Sequence, residues 1–143
     1  MDSIWQATSE MPHFPTLVGD LKKDAVVVGG GMAGLLTAAR LRQAGLDTAV
    51  IERESIASGV TAGTTAKITS QHGLIYDKLI RRFGHERARQ YAHANQRAID
   101  RFWEMAAEIG AQCAMQEMDA YVYSTSGGTK TQREAAALSL IHI

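Results

Sequence analysis

An α/β fold organised around a parallel βαβ unit is the fold class the chain predicts, on three observations. Asp24-Ala25-Val26-Val27-Val28 reads as a short apolar strand. Directly after it, Gly29, Gly31 and Gly34 in Gly29-Gly30-Gly31-Met32-Ala33-Gly34 fit G-x-G-x-x-G. A helical run then leads to a second apolar strand that closes on an acid, Glu52.

Each part of that unit has a physical reason. Gly29 makes the tight turn off the strand, Gly31 lets the backbone approach a ligand closely, and Gly34 lets the helix pack on the sheet with no side chain between them. The helix beginning near Met32 aims its unpaired amides, those of Met32, Ala33 and Gly34 included, and the positive end of its dipole at an anion. It runs through Leu35, Ala38, Ala39 and Leu41 to Ala44, and Gly45 supplies the left-handed stop before the strand Thr48-Ala49-Val50-Ile51. Glu52 lies 23 positions after Gly29 (52 − 29). That is close to the spacing of roughly 20 at which an acid accepts hydrogen bonds from ribose hydroxyls. The acid favours an unphosphorylated ribose, as in FAD or NAD, because a 2′-phosphate would meet a like charge. A Rossmann-like, FAD/NAD(P)-binding unit is therefore expected.

The segment after the acid favours flavin over nicotinamide. From Arg53 to Gly73 it includes Thr61-Ala62-Gly63-Thr64-Thr65-Ala66-Lys67, which is small, polar and uncharged except for Lys67. Such a loop can lay successive N–H groups and hydroxyls along a bound cofactor. A nicotinamide unit usually returns to its next helix through a shorter connection.

At these residues the chain resembles the amino-terminal part of the glycine/D-amino-acid oxidase (DAO) family of FAD-dependent oxidoreductases, and within it the bacterial subgroup that carries a carboxyl-terminal Rieske [2Fe-2S] domain. The resemblance covers about residues 3 to 124. It rests on Ser3-Ile4-Trp5 with Phe14-Pro15, on the glycine fingerprint, on Gly63-Thr64-Thr65-Ala66-Lys67-Ile68-Thr69-Ser70-Gln71-His72-Gly73, on Ile75-Tyr76-Asp77-Lys78-Leu79-Ile80 and on Asp119-Ala120-Tyr121-Val122-Tyr123. It implies that Glu52 and Arg53 hold the adenosine end. It also implies that the loop from Thr61 through Gly63, Thr64 and Thr65 to Lys67 passes beside the pyrophosphate, ribityl chain and flavin ring. Lys67 near the ring would favour the anionic reduced flavin; the alternative is a solvated loop lysine. His72, directly after the loop, is a candidate to approach flavin or substrate. The activity implied is oxidation of an amine or amino-acid-like substrate by hydride transfer to FAD, with no catalytic residue assignable in this stretch.

Further along, Leu74 to Phe83 predicts a short helix ended by Gly84, and Glu86 to Ile109 a long one ended by Gly110. In the long helix Ala88, Tyr91, Ala92, Ala98, Ile99, Phe102, Trp103, Ala106 and Ile109 form an apolar stripe that must pack against something. Gln112 to Gln116 and Ala120 to Tyr123 predict a hairpin that begins a substrate-side sheet, and Thr129 to Ala137 opens another helix. The domain expectation is thus an extended lead-in over 1–23 with its aromatics on the domain edge, an FAD-binding portion over 24–110, and the start of the substrate-side sheet with a helix over 111–137.

The net charge is zero, 15 Lys+Arg against 15 Asp+Glu, which gives no expectation of nucleic acid as a partner. Arg81, Arg82, Arg87, Arg89, Arg97 and Arg101 alternate with acids as on a solvated helix face. No apolar run is long enough to span a bilayer and no signal peptide is read at Met1-Asp2-Ser3, so a cytoplasmic protein is expected. Cys113 is the single cysteine and reads as an inert thiol, while His85 and His93 have no metal-ligand spacing. Rieske ligation needs two Cys and two His, so any cluster belongs outside this chain.

A family member also needs more chain than 143 residues, and the sequence is expected to be a fragment. Its last six residues, Leu138-Ser139-Leu140-Ile141-His142-Ile143, are what CTG TCT CTT ATA CAC ATC encodes, the mosaic-end adapter of transposase-based sequencing libraries. Residues 138–143 are accordingly expected to be an artefact. An NAD-dependent dehydrogenase and a noncatalytic dinucleotide-binding module are the alternatives to the flavoenzyme. The substrate is a small molecule, and the electron acceptor is open.

Overall fold

A computed structural model describes residues 3–141, which fall into two compact units, Met1–Ala66 and Lys67–Ile143. His142 and Ile143 of the expected adapter tail lie outside the described residues.

The first unit begins with α1 (Ile4–Thr8). Residues 1–23 were expected to be extended, and this helix corrects that expectation. Ser3 and Gln6 close a capping box, each side chain bonded to the other residue's backbone. A five-residue helix is far below the length that holds by itself in water, so such caps matter. The aromatics of the lead-in behave differently: Trp5 is half-buried, whereas Phe14 is exposed and does not pack on the domain edge.

The βαβ unit follows as expected. Strand β1 (Ala25–Val28) and strand β2 (Thr48–Ile51) pair in parallel, Ala25 opposite Thr48 and Val28 opposite Ile51. Helix α2 (Met32–Gln43) connects them and packs on both strands. Gly45 takes φ +86° and bonds Arg42 O, while Leu46 N reaches back to Leu41 O, so the helix ends in a left-handed cap. The strands alternate: Ala25 and Val27 are half-buried, whereas Val28 on the opposite face is 82% exposed.

The second unit is helical, with α3 (Tyr76–Phe83), α4 (His85–Glu108) and α5 (Thr129–Ile141). Gly84, at φ +82°, ends α3 and starts α4, and Gly110 at φ +62° follows the end of α4. The three helices pack around Tyr76, Ala88, Ala92, Ala137 and Ile141. The apolar stripe on α4 is used unevenly: Ala88 and Ala92 are buried, Ile99, Phe102 and Ala106 are half-buried, and Tyr91, Trp103 and Ile109 stay exposed.

The expected hairpin over 112–123 is not formed: no strand occurs there among the described residues, and Tyr121 and Tyr123 are exposed. Strand preference is realised only when a neighbouring strand accepts the backbone bonds, and no described segment offers one. The start of a substrate-side sheet is therefore not part of this structure. No described helix is long and apolar enough to cross a membrane.

Candidate functional site at the turn between β1 and α2

The turn off β1 is shaped by three glycines for three reasons. Gly29 adopts φ +106°, a conformation open to few other residues, and its amide still continues the ladder to Ile51 O at 2.8 Å. A β-carbon on Gly34 would stand 1.9 Å from the carbonyl oxygen of Gly29 and 3.4 Å from Val27 Cγ1, so the helix can lie this close to the strand only without a side chain. Gly31, at φ −78°, differs from both. A β-carbon there would meet only Thr61 Oγ1 at 3.5 Å, so the protein itself leaves its face open.

The first turn of α2 presents main-chain donors to that open face. Met32 N donates to Thr61 Oγ1 at 3.1 Å, whereas among the described residues the amides of Gly31, Ala33 and Gly34 have no protein acceptor. Free amides at a helix start, with the dipole behind them, suit a phosphate. Thr61 accepts from Met32 and keeps its own hydroxyl proton to donate.

Glu52 closes the other side of the turn. Its Oε2 accepts from Gly30 N at 2.7 Å and its Oε1 from Glu54 N at 3.1 Å. The Gly30 amide, followed by the Glu54 amide, holds the Glu52 carboxyl below its ordinary pKa, with smaller help from Arg53 against a desolvation that raises it. The acid that the sequence places at the end of β2 is thus turned toward the crest of the glycine turn. Arg53 itself is exposed and pairs with Glu54 at 3.1 Å.

The loop after the acid is tied back to the turn. Ala57 N donates to Gly30 O at 2.8 Å, turns run from Gly59 to Thr64, and Trp5 Nε1 donates to Thr64 O at 2.7 Å. Gly63 and Thr65 are exposed, whereas Thr61 and Thr64 are half-buried. Lys67, also exposed, opens the second unit and so does not belong to the group brought together here. In that second unit His72 Nδ1 lies 3.4 Å from the Tyr91 hydroxyl.

Four residues that shape these units are absent from the sequence-derived site. Gly30 is buried, and a β-carbon on it would come within 2.9 Å of Ile56 Cγ2 and 3.2 Å of Glu52 Cβ. The fingerprint counts this position as variable, so only the run of three glycines signals it. Trp5 carries a contact across 59 positions that no local pattern encodes. Ile56 forms the wall that Gly30 faces. In the second unit, buried Glu134 accepts from the amides of Ile75 and Tyr76 through one oxygen and of Asp77 through the other. It caps α3 from α5. Burial, with Tyr91 and Glu134 adding, raises the pKa of the Tyr76 hydroxyl, which donates to Ser70 O.

No three His, Cys, Asp or Glu side chains converge as a metal site among the described residues. The family of FAD dependent oxidoreductases designated DAO matches residues 24–141. A protein of Bacillus subtilis (strain 168), named as a Rieske 2Fe-2S iron-sulfur protein, YhfW, is 40% identical over 125 residues, covering 87% of this chain and 25% of the relative. The chain thus spans about a quarter of the length of that curated relative. No solved structure matches.

Proposed function

The chain belongs to the DAO family of FAD dependent oxidoreductases, and from that premise we propose that it supplies the FAD-binding start of an enzyme that oxidises an amine or amino-acid-like substrate. The observation that carries the reading is the open face at Gly31, where, among the described residues, three amides have no protein acceptor and the Thr61 hydroxyl is the nearest side-chain atom to a β-carbon placed on Gly31. These residues fit a diphosphate. The unit is Rossmann-like in this reading: Gly29 sets the turn, Gly31, Met32, Ala33 and Gly34 bring the start of α2 to the phosphates, and Thr61 adds a hydroxyl proton.

Glu52, ionised and already at the crest of the turn, takes the ribose hydroxyls, and Arg53 lies at the adenosine end. Gly63, Thr64 and Thr65 line the path toward the flavin, with Lys67 beyond them. Bound FAD supplies the hydride acceptor. The protein's share in this stretch is to bind, orient and exclude water.

The name of the Bacillus subtilis relative supports a further element, a [2Fe-2S] cluster on residues outside this chain, which would serve as an electron acceptor for the flavin. The chain has one cysteine, so it cannot itself provide the two that such a centre takes.

The experiment is purification of the full-length protein and its absorbance spectrum, followed by turnover with candidate amines and an artificial electron acceptor. A flavin spectrum that releases FAD on denaturation is expected, bleached by the right amine. A colourless protein that binds NAD would instead make it a nicotinamide dehydrogenase. A flavoprotein bleached by none of the amines would leave a noncatalytic dinucleotide-binding module.

A further inference from the structure

We propose that Trp5 is a positioning residue for the dinucleotide site, acting through its indole N–H on the loop over residues 57–66. The proposal rests on the reading of the turn at Gly31 as the FAD diphosphate site. Its physical content is a chain of contacts. Trp5 Nε1 donates to Thr64 O at 2.7 Å, Thr64 N donates to Thr61 O at 3.4 Å, and Thr61 Oγ1 accepts from Met32 N, the first residue of α2, at 3.1 Å. The indole therefore sets the carbonyl at one end of a tight turn whose other end carries the hydroxyl facing Gly31.

The loop needs such a hold, because its own backbone does not favour its shape. Ala57 sits at φ +57° and Ala66 at φ +54°, a left-handed conformation that costs a residue with a side chain about 1–2 kcal/mol. The first half of the loop is tied by Ala57 N to Gly30 O at 2.8 Å and by Thr61 to Met32. Among the described residues, the Trp5 hydrogen bond is the single one that reaches residues 62–66 from outside the loop. Helix α1 buries no residue, so its service to the unit lies in where it puts this indole.

The test uses the full-length protein stripped of flavin and titrated with FAD, in wild type, Trp5→Phe and Trp5→Ala. Phenylalanine keeps a flat apolar ring but has no N–H to donate. Trp5→Phe is expected to weaken FAD binding about five- to tenfold, the size of effect one such hydrogen bond carries. The apo-protein's thermal midpoint should fall by no more than about 2 °C, the order of drop that loss of one hydrogen bond gives in a large chain. Because the effect passes through Thr61, the losses in Trp5→Phe and Thr61→Val should fail to add in the double variant. Proteolysis within 57–66 should quicken in Trp5→Phe and slow again with FAD.

Wild type binding FAD while Trp5→Phe binds it equally well would overturn the role of Trp5 and leave the diphosphate reading standing. Additive losses in the double variant would overturn the route through Thr61. Wild type failing to take up FAD at all would overturn both. Should Trp5→Ala fail to fold while Trp5→Phe keeps full affinity, Trp5 is a packing residue and the proposal falls.

Discussion

The carboxylate of Glu52 closes on the amide of Gly30 at 2.7 Å, bringing the end of β2 onto the turn that follows β1. That contact makes the turn sensitive to acid. The Glu52 pKa is lowered in the folded state from its ordinary value of 4.5, chiefly by the Gly30 amide. Its stabilisation is then fully present above the unfolded value and lost as pH falls through the lower folded value. Wild type should therefore lose more stability than Glu52→Gln as pH drops below about 4.5, since the amide does not titrate. Thermal midpoints across an acid series would check this, and parallel curves would reject it.

Two glycines of the same fingerprint should fail in different ways. Gly34→Ala drives a β-carbon into the Gly29 carbonyl, a backbone atom that cannot swing aside. It should destabilise the protein by about 1–3 kcal/mol or more. Gly31→Ala meets only Thr61 Oγ1, at an ordinary contact distance of 3.5 Å and an ordinary φ, so the apo-protein's stability should be nearly unchanged while FAD affinity falls at least about tenfold, the clash arising only with ligand. Unfolding curves and FAD titrations on both variants separate the two.

Gly30 should respond to its neighbour. Gly30→Ala would press on Ile56 Cγ2 at 2.9 Å, the end of a side chain. Trimming it in Gly30→Ala/Ile56→Ala should recover part of the stability lost in the single variant, a coupling of about 0.5–3 kcal/mol in a double-mutant cycle. Recovery should stop short of complete, because Ile56 Cα at 3.3 Å remains.

Glu134 is expected to be worth more than its polar sequence surroundings suggest. Glu134→Ala leaves the amides of Ile75, Tyr76 and Asp77 without their acceptor, at a cost of about 3 kcal/mol or more. Glu134→Gln keeps one acceptor oxygen and should lose roughly half as much. Hydrogen exchange at those three amides would report the change locally, and unchanged protection in Glu134→Ala would refute the assignment.

What could be read from the chain followed the reach of each signal. The βαβ unit and the ends of α2, α3 and α4 were legible because apolar periodicity and left-handed glycines at 45, 84 and 110 act within a few residues. Helix α1 was legible in principle, as Ser3 and Gln6 stand at capping-box spacing, yet the prolines and polar residues around it suggested extended chain. Gly30, Trp5 and Glu134 were out of reach for one shared reason. Their partners Ile56, Thr64 and Tyr76 lie 26 or more positions away (56 − 30 = 26 for the nearest), and no local pattern marks them. Glu134, in Thr131-Gln132-Arg133-Glu134, has the composition of a wet helix face but is 2% exposed. The failed hairpin at 112–123 shows the converse, residues with strand preference and no strand to join.

Ile141, wholly enclosed beside Tyr76, Ala88, Ala92 and Ala137, turns the question of the adapter-like tail into one of genetics. A branched aliphatic plug of that bulk contributes about 1.5–3 kcal/mol on enclosure. If the chromosomal reading frame carries different codons from 138 onward, an oily side chain of comparable volume at the thirteenth position of α5 would keep this cluster closed in the same way. An aspartate or lysine codon there would mean that the three-helix cluster closes differently in the organism's own gene product.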